Sequence, residues 1–89
     1  MAGYGTVGAR ERFAREETSG RRRFARMSER ERIVLTQLAQ GLSTDEIALA
    51  LHVSPHTVRT HIKNGMRKLD ARTRAHAVAI AICDGVISV

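Results

Sequence analysis

The residues with the strongest claim to chemistry are crowded into one short stretch of this 89-residue chain. Residues 51–64, LHVSPHTVRTHIKN, hold His52, His56 and His61 among Arg59, Lys63, two threonines and Asn64. Three chemistries suit such a mixture: metal ligation, nucleophilic catalysis with a remote partner, or contact with a polyanion. The spacing is poor for a metal. His52 and His56 are four apart but divided by a Ser-Pro step, so one helical face does not present both. His56 and His61 are five apart, and no Cys, Asp or Glu completes a set of zinc ligands nearby. Neither a metal nor any other cofactor is expected. For catalysis the only thiol is Cys83, seven residues after His76, and one helical face could carry both. Nothing orients that imidazole and no oxyanion donors are evident. Cys83 therefore reads as a small packing residue and the chain as no enzyme.

Contact with a polyanion remains, and the composition favours it. Fifteen Lys and Arg against nine Asp and Glu leave a net charge of +6. A merely solvated basic surface would account for the charge alone, but such an excess suits nucleic acid. Aromatic residues make up only 3%, which speaks against base-stacking platforms for single strands and for a duplex held through its phosphates. A single cysteine excludes an intramolecular disulfide. The longest apolar run, AVAIAIC at 77–83, falls far short of the roughly 20 residues of a membrane span. No apolar signal-peptide core is present. A soluble protein of a reducing bacterial cytoplasm, without membrane contact, is the expectation.

The elements that must position these residues are punctuated one by one. SERE puts Ser28 at a helix start with Glu31 three residues on, a capping box, and STDE repeats the device with Ser43 and Glu46. SPHT gives a third start, with Ser54 as cap and Pro55 at the first helical position. Val34, Leu35, Leu38 and Ala39 follow helical spacing in the first helix, and Gly41 sits where a left-handed cap is wanted. Ile47, Ala48 and Leu51 line the second, and Val58, Ile62, Met66 and Leu69 the third. A fourth helix is expected over about 73–84, with Gly85 ending it. The short second helix, the tight LHVS connection and the capped third helix describe a helix-turn-helix over about 44–63. His52 takes the turn position where Gly is common, and histidine tolerates positive φ better than most residues.

Residues 1–26 differ from the rest: glycine-rich, arginine-rich and with too few apolar positions to bury a face. They read as a basic, flexible N-terminal arm, which could dock on DNA, RNA polymerase or a regulatory protein. Residues 27–89 form the domain.

The stretch SERERIVLTQLAQGLSTDEIALALHVSPHTVRTHIKNGMRKLDARTRAHAVAIA resembles the DNA-binding domain of LuxR/FixJ/GerE-type transcriptional regulators. ERE, GLS..EIA, VSPHTVRTHI and RKL...TRA.AVA match together, in order and spacing. The resemblance implies an all-α, compact four-helix domain whose third helix enters the major groove of double-stranded DNA. It implies base contacts from Arg59, Thr60 and Lys63: Arg59 and Lys63 suit guanine acceptors, and the Thr60 methyl suits a thymine methyl. Thr44, His56, Thr57, Arg67 and Arg72 are expected to meet phosphates, which position the protein without specifying sequence. Asn64 and His61 are further candidates for DNA contact, His61 through a hydrogen bond to backbone or phosphate.

On the last helix Ala77, Val78 and Ala81 serve the core, leaving Ala75, Ala79, Ile82 and Cys83 as a second apolar stripe. Such a stripe either lies under a core wrapped further round the helix or pairs across a two-fold axis. The resemblance favours the pairing, and hence a homodimer on an inverted repeat. Two departures from the pattern are Gly65, where a branched aliphatic is usual, and His76, where a Glu would close the last capping box. An input domain usually precedes this one in the family, and the arm is too short to be one. Signal input is then expected through abundance, a partner or dimerisation, unless the chain is a fragment. Two rival readings are a promoter reader like region 4 of sigma factors and an interaction module that sequesters another regulator.

Overall fold

The computed structural model describes residues 26–88. Except for Arg26, the arm expected over 1–26 lies outside the described residues. Four helices follow in order: α1 (Glu29–Ala39), α2 (Thr44–Leu51), α3 (Pro55–Lys68) and α4 (Arg74–Cys83). No strand occurs among the described residues.

Each of these four helices begins on a hydroxyl. Ser28, Ser43, Ser54 and Thr73 each accept the backbone N–H three residues on. Both expected capping boxes close, with Glu31 accepting from the Ser28 N–H at 2.9 Å and Glu46 from the Ser43 N–H at 3.0 Å. The fourth start has no closed box, as expected with His76 in place of Glu. The His76 ring instead reaches one residue further back than a glutamate would, its Nδ1 accepting the N–H of Arg72, just outside the helix, at 3.1 Å.

The same four helices also end in one way. Gly41, His52, Asp70 and Gly85 adopt positive φ of 95°, 57°, 54° and 72°. The residue after each, Leu42, Val53, Ala71 or Val86, donates its N–H five residues back at 2.8–3.1 Å. This paired-bond ending satisfies carbonyls the helix leaves orphaned, and its apolar follower packs back on the core.

The core has two parts. Val34, Ile47, Ala48, Val58 and Ile62 bind α1, α2 and α3 together. Met27, Leu35, Leu69, Ala77, Ala81, Val86 and Ile87 join α4 and the segments flanking the bundle. Leu38 and Met66 touch both. The burial of Val86 and Ile87 has no helical period to announce it, and Ile80, assigned to neither stripe above, packs half-buried against the second part. A fully buried Leu, Ile or Val contributes about 1.5–3 kcal/mol before entropy is counted.

Lys68, near the end of α3, closes on Glu31 in α1 with Nζ–Oε1 of 2.7 Å. Gly65, one turn earlier, is buried beside the same helix. A Cβ built there would lie 3.4 Å from Leu35 Cδ1 and 3.5 Å from Met27 Cε, which is contact rather than collision. Gly65 is thus a tolerated defect rather than a forced close approach. Gly65→Ala is expected to raise stability by about 1 kcal/mol in a urea titration, with DNA affinity unchanged.

Candidate nucleic-acid interface

α3 turns Val58, Ile62 and Leu69 wholly inward, with Met66 half-buried. What remains outside follows from the 3.6-residue period: Arg59, Thr60 and Lys63 are all exposed, Arg59 and Lys63 four apart on one face. The Thr60 hydroxyl donates back to the His56 carbonyl at 3.1 Å. Its methyl is then the group left to meet a partner. Thr57 is half-buried, and its hydroxyl lies 3.0 Å from that of Ser54 at the cap. His56 and Arg67 are exposed, and Asn64 and His61 half-buried. The ring of His61 makes no hydrogen bond to another of the described residues.

α3 carries four cations, Arg59, Lys63, Arg67 and Lys68, and no carboxylate. A concavity of about 380 Å³ opens beside it, lined by His56, Arg59, Thr60, Ile62, Lys63, Met66 and Arg74. Arg72 is exposed just before α4, its backbone N–H bonded to the His76 ring. Thr44, in the first turn of α2, is half-buried and its hydroxyl accepts from Arg74 Nη1 at 3.1 Å. Arg74 is the residue that sequence reasoning missed. A signal existed: a cation in the first turn of a helix opposes the macrodipole, so such a residue invites a second reason for its presence.

The four histidines are dispersed. Among the described residues no three of His, Cys, Asp and Glu are gathered as a metal would need. Cys83 is exposed. Its neighbours in the stripe, Ala75, Ala79 and Ile82, are exposed as well, Ile82 by 45%. The core therefore does not wrap round to cover them. Beside the stripe runs a groove of about 320 Å³ between α1 and α4, lined by Leu38, Ala39, Arg74, Ala75 and Val78. No helix among the described residues is long and apolar enough to cross a membrane.

Comparison with known proteins fits this geometry. Residues 25–81 match the family model described as bacterial regulatory proteins, luxR family. The chain is 45% identical over 71 residues to the nitrate/nitrite response regulator protein NarP of Escherichia coli, covering 80% of this chain and 31% of that protein. It is 42% identical over 65 residues to the transcriptional regulatory protein FixJ of Rhizobium meliloti, covering 73% of this chain and 32% of the relative. It thus spans about a third of the length of these relatives. The solved structure of the transcription factor GerE superposes with a TM-score of 0.66 at 34% identity, covering 68% of this chain and 91% of that one.

Proposed function

Because this chain belongs to the luxR family of bacterial regulatory proteins, we propose that it reads double-stranded DNA by sequence and regulates transcription in the cytoplasm. The family is one of regulators, and the chain is not an enzyme. One observation carries the reading: a capped helix presents Arg59, Thr60 and Lys63 outward together, on a face with no acidic residue. In this proposal α3 lies in the major groove and those three side chains meet base edges. His56, Thr57, Arg67 and Arg72 meet phosphates and hold the register, while Thr44, its hydroxyl already engaged by Arg74, borders them. Asn64 and His61 border the contact, His61 through a hydrogen bond to backbone or phosphate. Residues 27–89 form the DNA-binding domain, the helix-turn-helix occupies about 44–63, and residues 1–26 are a basic arm.

The exposed stripe of Ala75, Ala79, Ile82 and Cys83 supports a homodimer joined through the last helix. Its small side chains favour a modest interface that DNA strengthens. A two-fold pair of readers requires an inverted repeat with half-site centres about 10 base pairs apart.

The test is selection from random duplex DNA by the 89-residue chain at near-physiological salt. An inverted repeat at one-turn spacing is the expected product, and oxidation on that duplex should then cross-link two copies through Cys83. Ile82→Asp should abolish the cross-link and leave half-site binding intact. Enrichment of single half-sites would remove the dimer from the proposal. No enrichment from a folded sample would replace it with the sequestering role.

A further inference from the structure

Arg74 stands in an electrostatically poor position. It occupies the first turn of α4, where the unpaired N–H groups already give positive potential, and that turn contains no acidic residue. Among the described residues it forms no ion pair. Its guanidinium reaches across 30 residues of sequence to donate to the Thr44 hydroxyl, 3.1 Å away at the start of α2. It also borders the concavity beside α3, where Arg59 and Lys63 are the other cations and no carboxylate is present. Three like charges round one hollow repel each other in the free protein, and that cost is recovered only when a polyanion fills it. Guanidinium has five N–H donors in a rigid fork, and Thr44 uses one.

We infer that Arg74 is a DNA phosphate contact, bridging a backbone phosphate and Thr44. This rests on the DNA-reading proposal above and deepens it. The remaining donors of the fork face a partner of phosphate geometry, while the Thr44 hydroxyl holds the guanidinium in place. The bridge would join the helix carrying the apolar stripe to the helix-turn-helix, so that each copy's phosphate grip is set partly by its last helix. Thr44 then acts through Arg74 as a positioning residue.

Binding to a mixed-sequence duplex, measured by anisotropy across a range of salt, tests this without needing the operator. Removing one phosphate contact lowers the slope of log K against log salt by about 0.9 per bound copy. Arg74→Ala should show that loss of slope together with a roughly 3–10-fold weaker affinity, and an unchanged melting temperature. Arg74→Lys should keep the slope but recover only part of the affinity, because the charge remains and the fork is lost. Thr44→Val should weaken binding less than Arg74→Ala, with the slope retained. The double variant Thr44→Val, Arg74→Ala should be no weaker than Arg74→Ala alone. A wild-type slope in Arg74→Ala, with or without lower stability, overturns the contact. Additive losses in the double variant overturn the bridge. Glutamate at both 59 and 63 serves as the control: if that variant still binds DNA, the underlying reading fails rather than this inference.

Discussion

Exchanging Arg59 and Lys63 together for glutamate is expected to weaken duplex binding by roughly a thousandfold, with melting shifted by no more than a few degrees. Each well-made base contact discriminates by about 1–3 kcal/mol, and both would be lost in every copy bound. Two carboxylates would also face the phosphate backbone, where phosphate attraction supplies much of the affinity. Stability should barely respond, because both side chains are exposed on α3, away from the buried face of Val58 and Ile62. Surface substitutions of this kind usually stay within about 0.5 kcal/mol. Gel shifts and thermal melts on the same preparation check both halves. A heteromeric contact through the last helix would survive the exchange, so the variant separates a DNA reader from a sequestering module. Retained DNA affinity would sink the proposal that α3 is the reading helix.

The second large effect concerns stability. Glu31→Gln is expected to cost about 2 kcal/mol, which in a domain this small lowers the melting temperature by roughly 10 °C. The Glu31 side chain is only 5% exposed, yet it accepts from Lys68 Nζ at 2.7 Å and from the Ser28 N–H. Burial alone would raise its pKa; the Lys68 hydrogen bond, the Ser28 backbone N–H and the Lys68 charge outweigh burial and hold it below the usual value. Glutamine keeps the shape and one acceptor but leaves Lys68 without a counter-charge. Because Lys68 is 24% exposed and can turn to water, the cost sits below that of breaking a fully buried pair. The sign with pH follows from the lowered value. The stabilisation is complete above the unfolded pKa of about 4.3 and is lost as pH falls through the lower folded one. Acid titration of the two proteins should therefore show their melting temperatures converging. A constant gap down to low pH would exclude the ion pair as its source.

The starts of the helices were legible in the sequence because they are local. A hydroxyl, a carboxylate three residues on and a proline at the first position specify their own hydrogen bonds. The inward face of α3 was legible for a similar reason, since apolar side chains at 58, 62, 66 and 69 keep to one side of any helix. What stayed hidden depends on distant segments. The Glu31 pair with Lys68 spans 37 residues, and Arg74 finds Thr44 across 30. Sequence spacing carries no trace of either. Asp70 escaped notice as a left-handed residue because no rule requires aspartate there, although the apolar Ala71 after it repeats the pattern of Leu42, Val53 and Val86. Whether the core covers the stripe of Ala75, Ala79, Ile82 and Cys83 stayed open for a further reason. The run at 77–83 is apolar on every side, so periodicity cannot say which side is in.

The division of the core has a consequence for the order in which a growing chain folds. The part formed by Val34, Ile47, Ala48, Val58 and Ile62 is complete once residue 62 has emerged during synthesis. The other part waits for Leu69, Ala77, Ala81, Val86 and Ile87, and closes on Met27 and Leu35 from the opposite end of the described chain. Contacts so far apart pay their loop-closure entropy late. A nascent chain stopped just after α3 should thus hold a nearly assembled helix-turn-helix with Leu35 covered only on its α3 side, and it would be in this interval that a chaperone meets it.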